Sequence, residues 1–292
     1  MLNGRASGID DPDRLALELA AQAQELGARA HAHVTMSEPE LWQTLADAAE
    51  HGQRVVLVGG DGSLHAAANA PLAELPEVAL IPAGRANNIA RALGIPADRS
   101  GALAVAVDAP ARPLDALRVE TPGTALYAVE GVSAGFHAAA RSRYEADNSA
   151  DIKQGLAALA GALRDFSPYR LRARIGGEQV DALGTAQLFL SNLPYFAYGF
   201  QVDPNADPAD GFLEAIVFQA WRRTTLLRLL AAAYRGRHLG RRGVRSVSAR
   251  RVEVTAPLPL VADAVPLGTT TATVTVEPAR LRVAAPTAGG TE

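Results

Sequence analysis

The first hundred residues alternate between amphipathic stretches and short apolar runs. Leu15, Leu19, Ala23 and Leu26 recur at three- and four-residue intervals, as do Leu41, Leu45 and Ala48, and each set predicts a helix with one buried face. Val55, Val56, Leu57 and Val58 show no helical spacing and have the length of a strand, which predicts a buried parallel strand; residues 78–81 predict a second. After the first strand, Leu64, Ala67, Ala68 and Leu72 return to helical spacing, with Ser63 placed as the N-cap and Pro71 near the helix end. This order implies an α/β domain with a parallel sheet, whose ligands collect beyond the carboxyl ends of the strands.

From about residue 113 the pattern changes to period-two alternation in runs such as ALYAVEGVSAG, YRLRARIGG, LEAIVF and TATVTVE. Many short alternating segments predict a mostly antiparallel, β-rich second domain. Helical inserts are expected near 149–165 and 221–237. The domains expected are therefore 1–112, α/β, and 113–285, β-rich, followed by a flexible tail at 286–292.

Composition narrows the possibilities. A chain of 292 residues supports two domains with separate cores, and 48% hydrophobic with 20% charged residues is an ordinary globular composition. The absence of cysteine excludes disulfides, thiolate zinc sites and a cysteine nucleophile, and fits a reducing compartment. A net charge of −3 argues against a whole-protein nucleic-acid footprint, so any phosphate chemistry is local. No apolar stretch approaches the length of a membrane span and the N-terminus is acidic, so a cytoplasmic location without a signal peptide is expected.

The candidate chemistry lies at two strand ends. VGGDGS, ending at Ser63, forms a strand-to-helix turn that aims backbone N–H groups and a positive helix end at one point, which suits a phosphate. Gly59, Gly60 and Gly62 leave room for positive φ and for close approach of an anion. A tight turn in which Asp61 bonds its own backbone is the alternative. PAGRANNIAR, residues 82–91, follows the second strand at the same sheet edge, so the two loops form a crevice.

LNGRASG, GGDGSLHAAAN, PAGRANNIARALGIP, VEGVSAGFHA, DPADGFLEAIVF and RGRHLGRRGV, in that order, resemble the catalytic fold of the diacylglycerol and sphingosine kinase family over nearly the whole chain. The pair of loops is specific; the later pieces persuade by their order. The resemblance implies an α/β nucleotide-binding domain followed by a β-rich domain, related to NAD kinases and phosphofructokinases. It also implies transfer of the ATP γ-phosphoryl group, with Mg²⁺, to a lipid hydroxyl.

Residue by residue, Gly59, Gly60, Asp61, Gly62 and Ser63 match the family's phosphate-binding turn, and Gly84, Arg85 and Asn87 fall in its second loop. Asn3 and Ser7 match the opening segment, where Gly4 replaces a proline. Asp210, helped by Asp207, matches a structural Mg²⁺ site, although an Asp-Gly turn entering a strand explains it equally well. Arg85 replaces a small hydroxyl with a cation able to fork onto a phosphate, Asn88 replaces a carboxylate, Glu130 an asparagine and His137 an aspartate. The family's C-terminal glutamate base is absent, its place taken by Asp263, Ala264 and Val265. A general base contributes about 10²–10⁴-fold, whereas phosphoryl transfer draws mainly on positioning and charge neutralisation. Asp61 is therefore the primary catalytic candidate and Asp263 the secondary.

The acceptor is less constrained. Residues 221–238 interleave arginines with Trp221, leucines and Tyr234, in the manner of a basic amphipathic helix on an anionic bilayer or of a packed helix with a solvated face. Residues 191–204 are aromatic and could line an apolar acceptor cleft. A lipid kinase with a peripheral membrane location is the reading carried forward, with a homodimer left open; a kinase of a soluble hydroxyl and a non-catalytic nucleotide-binding module are the alternatives.

Overall fold

A computed structural model describes residues 2–3, 11–143, 152–196 and 200–287, with the side chains of residues 2–3 and 152–156 also outside the description. The chain divides into two compact units, one of residues 1–115 and 278–292, the other of 116–277. The expectation placed the division at 112/113 and kept residues to 285 in the second domain. The difference has a physical cause: the last strand returns to the first unit, where Val283 pairs with Val78 and the Ala279 N–H donates to Asp115 at 2.8 Å.

In the first unit, β1 (Leu2–Asn3), β2 (Val34–Thr35), β3 (Val55–Gly59) and β4 (Val78–Pro82) form a parallel sheet in the order β4-β3-β1-β2. The helices are α1 (Pro12–Glu25), α2 (Glu38–Glu50), α3 (Asp61–Ala68), α4 (Asn88–Ala92) and α5 (Arg99–Asp108). α1 starts at Asp11, whose carboxylate accepts the Arg14 N–H, followed by proline in the first turn. Its buried stripe is Leu15, Ala16, Leu19 and Ala23, whereas Leu26, expected on the same face, is the exposed C-cap; that of α2 is Leu41, Leu45 and Ala48, as the spacing predicts. β4 is buried along its whole length, which is why it reads as an uninterrupted apolar run.

The second unit is antiparallel. The chain passes into it within β5 (Ala111–Glu120), then forms β6 (Ala125–Ala128), β7 (Gly131–Gly135), α6 (Phe136–Arg141), α7 (Ile152–Arg164), β8 (Tyr169–Ile175) and β9 (Glu178–Ser191). After them come β10 (Tyr195–Phe196), β11 (Phe200–Gln201), β12 (Leu213–Gln219), α8 (Arg223–Tyr234), β13 (Val244–Ala249), β14 (Arg251–Ala262) and β15 (Val265–Ala284). β9 pairs with β8, β7 and β12, and β13 lies outside β12. Alternation sorts the side chains: Leu188, Leu190, Ala215 and Val217 enter one core with Leu171 and Val252, while Phe189, Ile216 and Phe218 enter another with Leu226 and Leu229 of α8. Both faces of residues 184–191 in β9 and of most of β12 are therefore buried, and LFL and AIVF within them read as continuous apolar runs.

Candidate functional site

Val55 to Gly59 pair in register with Val78 to Pro82, so β3 and β4 end side by side. The Ala83 N–H donates to the Gly59 carbonyl at 2.7 Å and sets the two following loops against each other. Their contact is backbone on backbone. A Cβ on Gly84 would stand 2.7 Å from the Gly60 Cα and 2.9 Å from Asn87 Oδ1; one on Gly60 would stand 2.9 Å from the Gly84 Cα. None of Gly59, Gly60 and Gly62 has positive φ, so the turn uses glycine for closeness and not for a left-handed backbone.

α3 begins at Gly60, an extended residue with no side chain to cap the helix. Ser63, expected as the N-cap, lies inside the first turn, buried, with its N–H on the Gly60 carbonyl at 2.9 Å. The cap position falls on glycine because only a residue without Cβ fits against Gly84. The uncapped N–H end of an eight-residue helix carries the positive end of its dipole, and a Cβ on exposed Gly62 would meet nothing within 4 Å. This end has the room and the polarity to hold an anionic phosphate.

Asp61 reaches into the second loop. Its Oδ2 accepts the Asn88 N–H at 3.1 Å and its Oδ1 the Ile89 N–H at 3.0 Å, so the first loop supplies the anionic cap of α4 in the second. Asn87, in the left-handed region at φ 48°, folds the second loop on itself: its Oδ1 accepts the Gly84 N–H at 3.1 Å and its Nδ2 donates to the Gly84 carbonyl at 2.9 Å. Asn88 is fully buried and Arg85 is exposed at the loop tip. The structure thus brings Gly59, Gly60, Asp61, Gly62, Ser63, Gly84, Arg85 and Asn87 together. Asn3 lies in β1 opposite Thr35; Ser7 lies outside the described residues.

Two supports of this site were missed. The Arg280 guanidinium donates to the carbonyls of Ala68 (3.0 Å), Ala70 (3.0 Å) and Leu72 (3.2 Å), placing a cation at the C-terminal end of α3. Arg54 donates to the carbonyls of Ala106 (3.0 Å) and Ala109 (2.9 Å) and to Glu77 (2.9 Å), tying α5 to the start of β4, and holds the Glu77 carboxyl below its ordinary range. Arg280 is some 210 residues from its partners, and only the returning strand reveals it.

In the second unit, Asp263 turns the hairpin between β14 and β15 at φ 49°. Its carboxylate accepts the N–H groups of Val129 (2.8 Å), Glu130 (2.9 Å) and Gly131 (3.0 Å), while its own N–H donates to the Gly131 carbonyl at 2.9 Å. Val265 stands opposite Ala262 in this hairpin. Asp207 and Asp210 are exposed, and each accepts an N–H two residues on, from Ala209 at 3.0 Å and Phe212 at 2.9 Å. Among the described residues no group of three or more histidine, aspartate or glutamate side chains is arranged to hold a metal ion. His137 packs against Phe189 and Phe196, with its Nδ1 2.8 Å from Ser133 Oγ. Burial, reinforced by Arg141, lowers its pKa to about 4, so the ring is neutral at physiological pH. Of the aromatic segment, Phe196 is core and residues 197–199 lie outside the described residues.

Comparison with known proteins agrees with this geometry. The diacylglycerol kinase catalytic domain matches residues 2–119, and the YegS C-terminal NAD kinase beta sandwich-like domain matches residues 130–285. The chain belongs to the diacylglycerol kinase and YegS family of lipid kinases. It is 29% identical to the "Probable lipid kinase YegS-like" of Stenotrophomonas maltophilia (strain K279a) over 74% of this chain and 72% of that protein. It is 26% identical to the "Diacylglycerol kinase" of Bacillus subtilis (strain 168) over 68% of this chain and 66% of that protein. A crystal structure of a diacylglycerol kinase from Bacillus anthracis str. Sterne covers 98% of this chain and 96% of its own with a TM-score of 0.72, at 16% identity, and so matches in fold. Membership in this family makes the chain a lipid kinase, a phosphotransferase by class. Among the described residues no helix is long and apolar enough to cross a membrane.

Proposed function

We propose that this kinase transfers the γ-phosphoryl group of ATP to the hydroxyl of a membrane lipid, diacylglycerol or a close relative. The observation that carries the reading is the backbone contact between Gly60 and Gly84 beside the uncapped N-terminus of α3. Bound there with Mg²⁺, ATP supplies the phosphoryl group. The chain's own part is to hold and to position: the α3 N–H end and Gly62 receive phosphate, and Arg85 at the exposed tip of the adjoining loop supplies a cation able to fork onto it. Asp61 keeps the second loop in place and is the first candidate to orient Mg²⁺ or the acceptor hydroxyl. Asp263 has three N–H donors engaging its carboxylate oxygens, so its geometry favours positioning of the turn before β7 over proton abstraction. Asp210 with Asp207 is the candidate structural Mg²⁺ site. The family names and the order of the matched domains support a lipid acceptor.

The test is transfer of labelled γ-phosphate from Mg-ATP to a total lipid extract, comparing wild type with Asp61→Asn and Asp263→Asn. Labelled lipid from wild type that disappears in Asp61→Asn supports the reading. Labelling of a water-soluble hydroxyl without lipid redirects it to a soluble acceptor. ATP binding by the folded protein with no transfer to any acceptor overturns it in favour of a nucleotide-binding module, for which Val265 in the place of a glutamate is the motive.

A further inference from the structure

The charge of the chain is unevenly spread. Residues 215–252 hold ten arginines and no acidic residue, leaving 18 of the 28 basic residues to set against all 31 acidic ones in the rest of the chain. This stretch runs from β12 through α8 and β13 to the first residues of β14 in the second unit, and α8 divides its residues between two environments. Leu226, Leu229, Ala232 and Ala233 are buried in the core beneath it. Arg223, Leu227, Arg228, Ala231, Tyr234 and Arg235 lie on the outward face.

The apolar members of that face are not core residues reaching inward. Trp221, just before the helix, is 66% exposed, Tyr234 60% and Leu227 46%, and these are among the most exposed large apolar side chains of the described residues. The Trp221 ring lies over the backbone of Gly184, where any Cβ would strike it, so the indole is seated while one side stays open to solvent. Arg237, Arg241, Arg242 and Arg245 continue the exposed basic surface beyond the helix, and Arg250 stands 4.9 Å over the ring of Phe212. Aromatic and leucine side chains set among arginines, on a helix already anchored by its opposite face, match the polarity profile of a lipid–water interface.

We propose that the outward face of α8, with Trp221 and the arginines that follow the helix, docks this kinase on an anionic phospholipid bilayer. Charge complementarity selects the occupant: the exposed Arg223, Arg228 and Arg235 of the helix, with Arg237, Arg241, Arg242 and Arg245 after it, attract anionic headgroups, and Trp221, Leu227 and Tyr234 supply groups that partition below them. A nucleic acid would use the arginines but has no comparable place for Leu227 and Tyr234. The proposal rests on the lipid-acceptor reading only for its purpose, delivery of the enzyme to the surface that holds its acceptor.

The experiment is co-sedimentation of the full chain with phosphatidylcholine vesicles, with and without phosphatidylglycerol, together with tryptophan emission and its quenching by brominated lipid. Expected are sedimentation that requires phosphatidylglycerol and weakens with added salt, and a blue-shifted, quenched emission that is absent from Trp221→Phe. Substituting Arg223, Arg228 and Arg235 together with glutamine is expected to lower partitioning on the order of 10²-fold, roughly fivefold per arginine. Binding indifferent to phosphatidylglycerol, no binding at all, an unchanged triple variant, or quenching that survives Trp221→Phe overturns the proposal, as does displacement of the protein from vesicles by duplex DNA. The vesicles contain no acceptor, so the two readings fail separately: a protein that labels detergent-dispersed lipid but does not sediment keeps its kinase function and loses this docking face.

Discussion

Gly60 and Gly84 lie backbone against backbone, close enough that a Cβ on Gly84 would stand 2.7 Å from the Gly60 Cα. This contact joins the two loops of the site before any side chain is considered. Gly84→Ala is expected to separate them and to lower kcat/KM for ATP by at least about 10²-fold, the scale associated with a displacement of about 1 Å at a positioning group. Steady-state kinetics with varied ATP checks it, and a variant with wild-type kcat/KM would show that loop contact is not needed.

Gly62 gives the complementary case. A Cβ there meets no protein atom, and alanine in a helical turn is favoured over glycine by roughly 0.5–1 kcal/mol. Gly62→Ala is therefore expected to keep or raise the melting temperature while weakening ATP about tenfold, equivalent to about 1.4 kcal/mol of lost contact. Calorimetric titration with ATP reads both sides of this. Unchanged affinity would place the phosphates elsewhere.

Asp61 separates structural from catalytic effects. Removal of its carboxylate leaves the Asn88 and Ile89 N–H groups without their acceptor, at a cost of about 1.5–3 kcal/mol for charge-assisted bonds. Asp61→Ala is expected to lose that stability and Asp61→Asn about half of it, since the amide keeps one acceptor. Both are expected to lose phosphoryl transfer by 10²-fold or more on the order given for a lost catalytic group. An Asn variant with nearly native turnover would reduce Asp61 to a cap.

The architecture was legible because its signals are local. Leu41, Leu45 and Ala48 are spaced for a helix, β3 and β4 are short apolar runs, and the second unit alternates. The glycine loops were legible as two neighbouring turns at the strand ends, but not what their members do. Asp61 reads as a turn residue, and nothing near it in sequence says that it caps a helix 27 residues away. Ser63 has the chemistry of an N-cap, yet tertiary contact with Gly84 overrides that preference and puts Gly60 there. Arg280 and Asp115 act through the return of β15, a pairing set by the register Val283 to Val78 and invisible to any periodicity. The basic helix was visible as composition; which of its faces carries Trp221 and Tyr234 needed the structure.

Asp263 holds three N–H groups of the turn before β7 and sits in the left-handed region. Asp263→Asn keeps the backbone conformation, which asparagine also adopts, and loses charge and part of the acceptor set. A stability loss of about 1–3 kcal/mol is expected, with turnover of the folded fraction within about tenfold of wild type. Thermal melts beside kcat decide it: a stable variant whose kcat falls 10²-fold or more would make Asp263 the general base after all.

His137 gives the second unit a dependence on acid. The unfolded imidazole takes up its proton near its ordinary value of 6.5, whereas the buried ring, with Arg141 adding to the effect, does so only at about 4. Between those values the unfolded chain binds more protons than the folded one, so stability falls as the pH drops from 6.5 towards 4. This group adds no slope above that window or below it. His238, buried against Phe218, is shifted in the same direction by burial and steepens the fall. The loss expected from His137 is about 1–3 kcal/mol across the window, towards the lower figure because an edge of the residue reaches solvent. Urea unfolding of wild type and His137→Phe at pH values on either side of 5 tests it through the pH slope, which removal of the ring flattens whatever the substitution costs in absolute stability. Equal slopes for the two proteins would show that the His137 ring is already charged in the folded state.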